Sequence, residues 1–135
     1  RAAKECGIKV KVNTVVSKLN VNEDISELYD MGAIDRIKLL QMRVNEGVND
    51  SASKWLLTKR EFDDYCKRLL KYNTVDEDDD ALNASYIIIN PEGNLLTNKG
   101  NKHTIVGSLL EKSLGELIAD NFDHKVYSKR YKEKA

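Results

Sequence analysis

The chain has 135 residues, with 22 basic and 22 acidic side chains and a formal net charge of zero. This length suits one domain around one hydrophobic core, and the balanced charge argues against general attachment to nucleic acid or to a membrane surface. No apolar run reaches the roughly 18 residues that a membrane-spanning helix needs. We therefore expect a single compact domain with no nucleic-acid partner and no transmembrane segment.

The cysteine and histidine residues bear on the cellular compartment and on metal binding. Cys6 and Cys66 lie far apart in the sequence and match no metal-ligand spacing. Such cysteines are typical of a reducing compartment, so we expect a cytoplasmic protein, two buried thiols and no metal site. His103 and His124 are isolated in polar stretches, and we expect both at the surface.

The first elements in chain order are a helix end and a strand. Residues 1–7 have the composition of a last helical turn, and Gly7 can adopt the left-handed conformation that closes it. Because the chain begins inside this element, without an initiator methionine or an N-cap, we expect an upstream portion. Residues 8–16 alternate between β-branched and polar side chains, which predicts a strand with Lys11 and Asn13 on its polar face.

A helix and a second strand follow. Asn22 can cap a short helix that Gly32 ends. Residues 33–42 predict a strand in which Arg36 and Lys38 share one face and Ile37 lies on the other. The order strand, helix, strand predicts a right-handed parallel crossover.

The rest of the chain predicts a loop, a helix, a hairpin and a last helix. Residues 45–57 are interpreted as a long loop around a buried Trp55. Thr58 and Glu61 form a capping box for a helix whose apolar stripe ends at Leu69 and Leu70. The acidic run 76–80 is expected to be a solvated connector, because adjacent like charges repel. Residues 84–97 predict a hairpin, and residues 109–118 supply the apolar side of the last helix.

Three basic residues on the two strands carry the chemical argument. Lys11, Arg36 and Lys38 are placed on one side of a predicted parallel sheet, where side chains are normally apolar on both faces. A buried cation needs a carboxylate partner or an anionic ligand, and the phosphates of a nucleotide would supply one. The alternative is that these side chains lie at strand ends and reach solvent.

Several short motifs occur in a recognisable order and spacing. They are Val10–Val16 with Lys18–Val21 and the pair Glu23-Asp24, the strand Arg36–Gln41, the loop Glu46-Gly47 with Asn49, the helix start Glu61-Phe62, and Ser85-Tyr86 followed by three isoleucines. In these motifs the chain resembles the viperin-type radical S-adenosylmethionine enzymes. The resemblance extends over nearly the whole chain, is dense from Gly7 to Phe62 and is loose after Gly93.

The resemblance implies a fold. The chain would be the carboxy-terminal part of a partial (βα)6 radical S-adenosylmethionine barrel, of the α/β class, followed by a hairpin and helices. Residues 1–45 would form the last two parallel strands of the barrel with their crossover helix. Residues 46–135 would form a loop, a helix, the hairpin and a carboxy-terminal helical extension of the same domain.

The resemblance also implies site residues. Lys11, Arg36 and Lys38 would contact the triphosphate of a nucleotide, the last two at its terminal phosphates, with Asn13 beside them and Tyr86 near the nucleotide. The strand end at Gln41 and Arg43 would contact the adenine of the cofactor, mostly through the backbone. The stretch 98–103 would close over the phosphates and contribute Lys99 and Lys102.

The implied reaction needs cofactors that these residues do not hold. A [4Fe-4S] cluster fed by an electron donor would cleave S-adenosylmethionine, and the resulting radical would take hydrogen from the ribose 4′ carbon of a nucleoside triphosphate. Loss of water would give the 3′-deoxy-3′,4′-didehydro nucleotide, an antiviral chain terminator. The three-cysteine cluster motif of the family is absent from these 135 residues.

Without that motif, this stretch is expected to be inactive alone, with no catalytic residue and no metal ligand of its own. Two other functions fit the same residues. The chain could belong to a different radical enzyme with another anionic substrate. It could instead be a non-catalytic α/β interaction module, which predicts no response to triphosphates.

Overall fold

The computed structural model describes residues 2–72 and 74–132 of the chain. These residues form two compact units, the first from the amino-terminal segment to Met42 together with Lys54–Asp79, and the second from Arg43–Ser53 together with the chain from Asp80 onward. The described part of the first unit contains a three-stranded parallel sheet, and that of the second contains a three-stranded antiparallel sheet. The α/β class is therefore confirmed, whereas the barrel and the division at residue 45 stay predictions.

The first unit is built on strand–helix–strand crossovers. Its elements are α1 (Ala2–Glu5), β1 (Lys11–Val16), α2 (Ser26–Asp30), β2 (Arg36–Gln41), α3 (Lys59–Arg68) and β3 (Val75–Glu77), with a short 3-10 helix at Leu70–Tyr72. Another 3-10 helix, Asp50–Trp55, begins in the segment of the second unit and ends in that of the first. The sheet order is β1-β2-β3, and both strand pairs are parallel. The predicted parallel crossover between the first two strands is confirmed. The second crossover, through α3 to β3, was not predicted.

The helical side of this sheet holds the core of the first unit. Its buried residues are Val16, Tyr29, Ile37, Leu39, Leu57, Phe62, Tyr65, Cys66 and Leu69. The strand residues in this set, Val16, Ile37 and Leu39, have the parity that the sequence assigned to the apolar face. Because side chains alternate along a strand, the opposite parity places Lys11, Asn13, Arg36 and Lys38 on the other face of the sheet.

Helix α3 begins where its capping box predicts. The Thr58 hydroxyl accepts a hydrogen bond from the Glu61 backbone N–H at 3.2 Å, and a Glu61 carboxylate oxygen accepts one from the Thr58 backbone N–H at 2.7 Å. The Thr58 hydroxyl also donates to this carboxylate at 2.8 Å, and the two bonds that the carboxylate accepts from Thr58 lower the pKa of the Glu61 carboxyl. The prediction that Leu70 belongs to the apolar stripe of this helix is wrong. The helix ends at Arg68, and Leu70 is 68% exposed on the following 3-10 turn.

Other predictions in the first unit need correction. Helix α2 begins at Ser26 rather than at Asn22, and the Asp24 carboxylate accepts a hydrogen bond from the Ser26 N–H at 2.9 Å. Trp55 lies on a 3-10 helix and is only partly buried. The expected burial of Cys6 is wrong, since Cys6 lies exposed on the turn that follows α1, whereas Cys66 is buried as expected.

The acidic run is not a solvated connector. Val75–Glu77 forms β3, which pairs with β2 through Lys38, Leu39 and Leu40. Glu77 is completely buried. Strand pairing and the ion pairs of Glu77 with Lys38 and of Asp78 with Lys59 therefore outweigh the mutual repulsion of the carboxylates. The following helix α4 spans Asp79–Leu82.

The second unit contains the predicted hairpin with one additional strand. Strands β4 (Ile88–Ile89), β5 (Asn94–Thr97) and β6 (Thr104–Ser108) are antiparallel in that order, followed by α5 (Leu114–Asn121) and α6 (His124–Lys132). The hairpin turn has Gly93 at a positive φ of 78°, as its sequence predicts. Strand β6 was not predicted. Helix α5 begins only after its cap at Ser113, so Leu110 is 86% exposed rather than on an inner helix face.

Two glycines of the second unit provide a stability test. A Cβ at Gly107 on β6 would overlap the buried side chain of Leu117, whereas one at Gly115 on α5 would enter open space. We expect Gly107→Ala to destabilise the unit by about 1–3 kcal/mol through overpacking. We expect Gly115→Ala to stabilise it by up to about 1 kcal/mol, because alanine favours the helix. Thermal unfolding followed by circular dichroism should give midpoint shifts of opposite sign, and a shared sign would contradict this packing.

Candidate functional site

The four predicted polar residues of the parallel strands share one face. Lys11 is the Cα partner of Arg36, and Asn13 is the Cα partner of Lys38. Lys11, Asn13 and Arg36 are exposed and Lys38 is half-buried. We call these residues together with Glu77 the basic face. Three cations on neighbouring strands make this face suited to an anion with several charges.

Lys38 has a carboxylate partner that sequence reasoning missed. Its ammonium lies 2.5 Å from a Glu77 carboxylate oxygen, and the two side chains are only 12% and 1% exposed. The sequence carries little signal for this pair, because Val75 is the single apolar β-branched residue beside five adjacent carboxylates. The repulsion expected between those carboxylates argued against a strand. The pair gives this buried cation the carboxylate partner that the sequence argument requires.

Gln41 lies on the opposite face, where its amide joins three segments of the first unit. Its Nε2 group donates to the Leu57 carbonyl at 3.0 Å, and its Oε1 atom accepts from the Asp79 N–H at 3.0 Å. Both polar ends of this side chain are therefore engaged in structural bonds. The predicted backbone contact of Gln41 with a cofactor stays a prediction.

Arg43 belongs to the second unit and contacts the stretch 98–103. Its guanidinium donates to the Gly100 carbonyl at 2.9 Å and to the Asn101 side-chain oxygen at 3.3 Å. The Glu46 N–H donates to the Asn101 carbonyl at 2.6 Å, and Lys102 lies 3.9 Å from the Glu46 carboxylate. The guanidinium of Arg43 thus binds the loop within the second unit, and the predicted contact of Arg43 with the cofactor stays a prediction.

Tyr86 is also in the second unit, at the other end of the same stretch. Its N–H donates to the Asn98 side-chain oxygen at 3.1 Å, and the Asn98 amide donates to the Leu82 carbonyl at 2.6 Å. Asn98 is 5% exposed, so this amide anchors the start of the stretch 98–103 in the second unit. The predicted position of Tyr86 near a nucleotide stays a prediction.

The cysteines do not fit an iron–sulfur cluster. Cys6 is exposed near α1 and Cys66 is buried in α3, where burial raises the pKa of its thiol to about 12. Cluster ligands are grouped thiolates, so a single protonated, buried thiol is unsuited to the task. Within residues 2–72 and 74–132, no group of three histidine, cysteine or acidic side chains could hold a metal ion.

The different burial of the two thiols predicts selective alkylation. At neutral pH iodoacetamide should modify Cys6 and leave Cys66 intact, because only thiolates react and Cys66 is both buried and protonated. In urea both should react. Peptide mass spectrometry after timed alkylation measures the two sites separately, and equal rates in the native protein would show that Cys66 is not buried as described.

The helices in the described part of the chain are too short or too polar to span a membrane. No protein-family model matches the chain. Curated relatives do match it, and all three below bear the name S-adenosylmethionine-dependent nucleotide dehydratase. The protein from Selenomonas ruminantium is 33% identical over 129 residues, which are 92% of this chain and 46% of that protein.

The other two relatives agree with the first. The protein from Flammeovirga pacifica is 28% identical over 109 residues, covering 79% of this chain and 38% of its own length. The protein from a Fibrobacter species is 29% identical over 148 residues, which cover 96% of this chain and 44% of that protein. The chain thus spans less than half the length of these relatives. The resemblance seen in its motifs is confirmed: the chain is a homologue of the S-adenosylmethionine-dependent nucleotide dehydratases of the viperin type.

Proposed function

We propose that the chain is the carboxy-terminal portion of a radical S-adenosylmethionine nucleotide dehydratase, and that its basic face binds the triphosphate of the substrate. The observation that carries this proposal is the placement of Lys11, Arg36 and Lys38 on one face of two adjacent parallel strands. The names of the homologous proteins supply the nucleotide and the cofactor. A triphosphate is the polyanion that such a face suits best, because arginine offers a bidentate fork and lysine a mobile point charge.

The positions of the side chains along the strands suggest their separate roles. Lys11 and Arg36 are neighbours at the start of β1 and β2, whereas Lys38 lies two residues further along β2. A chain of phosphates extended along the strands could contact all three cations. We assign the terminal phosphates to Arg36 and Lys38, and hydrogen bonding beside them to Asn13. The role of Tyr86 rests on the resemblance alone.

The proposed reaction is dehydration of a nucleoside triphosphate to its 3′-deoxy-3′,4′-didehydro form, an antiviral chain terminator. S-Adenosylmethionine and a [4Fe-4S] cluster, supplied with electrons by a donor and held by another part of the enzyme, would provide the radical. The residues of this chain bind the phosphates and thereby fix the ribose in place. Positioning of this kind can account for a large share of catalysis when the cofactor performs the chemical step.

The proposal predicts a specific loss of substrate affinity. Replacing Lys11 by glutamine in the complete, reconstituted enzyme should raise KM for the nucleoside triphosphate by about tenfold, as expected for loss of one charged hydrogen bond. Lys67, which pairs with Asp64 on the surface of α3 at 2.8 Å, offers the matched control. The variant Lys67→Gln should behave like the wild type.

Anaerobic turnover with ATP, GTP, CTP and UTP measures these values. An unchanged KM in Lys11→Gln would remove this lysine from the site. Absence of both binding and turnover with all four triphosphates would contradict the proposed function and favour an α/β interaction module. The 135 residues expressed alone should be inactive, since they lack the cluster motif.

A further inference from the structure

Glu77 is the buried charge of the basic face that the proposed function leaves without a role. It is the last residue of β3, and its Cα partner on β2 is Leu40. Lys38 is paired in the same register with Val75, two residues earlier on β3. Because alternate residues share a face, Val75 and Glu77 lie on the same side of the sheet as Lys38. Glu77 is therefore diagonal to Lys38, toward the carboxyl ends of the strands.

The contact between the two side chains is short and shielded. The Lys38 ammonium is 2.5 Å from the Glu77 carboxylate, which is 1% exposed. Separating such a pair would leave a buried charge without compensation, so the ammonium is held in one direction. An ammonium has three N–H groups and can donate to Glu77 and to a phosphate oxygen at the same time.

The neighbouring acidic residue shows that this arrangement is specific to Glu77. Asp78 lies 2.7 Å from the ammonium of Lys59 on α3, whose side chain is 62% exposed. That pair links the end of β3 to the exposed side of α3. Glu77, by contrast, holds the ammonium of a lysine that lies on the basic face itself.

We propose that Glu77 is a positioning residue that directs the Lys38 ammonium to the terminal phosphate of a nucleoside triphosphate. This inference rests on the proposed function, because it gives Glu77 a role in the same phosphate site. It identifies the length of the phosphate chain as the property that the pair recognises. A diphosphate, which lacks the terminal phosphate, would gain little from an oriented Lys38.

The test is a comparison of triphosphate and diphosphate binding by the complete protein. Calorimetric titration of the wild type with ATP, GTP, CTP and UTP, and with the matching diphosphates, identifies the triphosphate that binds most tightly. That triphosphate and its diphosphate are then used for the variants. In Glu77→Gln, which keeps the shape of the side chain but removes its charge, the triphosphate dissociation constant should rise about tenfold. The diphosphate constant should change less than about twofold, since a diphosphate does not reach the oriented ammonium. Asp78→Asn is the matched control and should bind both ligands like the wild type.

A comparison made in the Lys38→Met variant separates positioning by Glu77 from its effect on stability. The double variant Lys38→Met with Glu77→Gln should bind triphosphate as tightly as Lys38→Met alone, or slightly more tightly. No ammonium then remains to be directed, and a negative charge is removed. If Glu77→Gln alone does not fold, as judged by circular dichroism, Lys38→Met and the double variant still test the inference. Weaker triphosphate binding in the double variant than in Lys38→Met would overturn it.

The failure of this inference can be told apart from the failure of the proposed function. A wild-type protein that binds none of the four triphosphates contradicts the proposed function itself. A wild type that binds triphosphate, together with a Glu77→Gln variant that binds it equally well, overturns only the role of Glu77. Equal weakening of triphosphate and diphosphate binding would likewise show that Glu77 supports the fold without recognising the terminal phosphate.

Discussion

Replacing Lys38 by methionine is expected to lower the free energy of unfolding by about 3–5 kcal/mol, because it leaves the Glu77 carboxylate buried without its partner. We expect an effect of this size because the side chains of Lys38 and Glu77 are only 12% and 1% exposed. Surface pairs of the same unit are much more exposed. Lys59 and Asp63, for example, are 62% and 46% exposed, and a pair of this kind contributes about 0–1 kcal/mol.

Urea unfolding followed by circular dichroism measures the effect of Lys38→Met. The double variant Lys38→Met with Glu77→Gln should recover much of the loss, because neither side chain then carries a charge that needs a partner. Lys59→Met is the control for removing a lysine from the same unit and should change little. If Lys38→Met were as stable as Lys59→Met, the pair would not be buried as the structure describes.

Replacing Phe62 by alanine should destabilise the first unit by about 3–5 kcal/mol. Phe62 is 1% exposed and is the largest of the fully buried side chains. It projects from the first turns of α3 into the core that the sheet forms with Tyr29, Leu39 and Tyr65. Truncation removes apolar contacts and leaves a cavity that closely packed neighbours can fill only in part.

Leu70→Ala is the matched control for Phe62→Ala. Leu70 is 68% exposed just beyond the end of α3, so its truncation should change the free energy of unfolding by less than about 0.5 kcal/mol. Thermal or urea unfolding by circular dichroism measures both variants. Similar losses in the two variants would mean that Phe62 does not fill the core, and that Leu70 is covered by structure.

Local sequence patterns predicted the elements in which one chemical signal dominates. The alternation in 8–16 and 33–42 placed Lys11, Asn13, Arg36 and Lys38 on one face, as the register and burial confirm. The Thr58 box set the start of α3, and Gly93 marked the hairpin turn. In each case neighbouring residues interact with one another, so the information is contained within a short segment.

Elements that depend on distant partners were missed. Strand β6 was not predicted because Thr104–Ser108 becomes a strand by pairing with β5. Residues 109–112 were assigned to a helix on their leucines, yet Leu110 is exposed and the helix begins after Ser113. Apolar composition alone does not say which leucines a neighbouring element covers.

The sequence by itself determined the order of the first strands and helices, the polar parity of the basic face and the kinship with nucleotide dehydratases, because periodicity, capping and motif order are properties of the chain. Only the tertiary structure decided that the acidic run contains a strand and that Glu77 is buried against Lys38. Five consecutive carboxylates repel one another in isolation. Hydrogen bonding to β2 and a lysine 39 positions earlier in the chain reverse that preference at Glu77, and no local pattern reports a partner so far away.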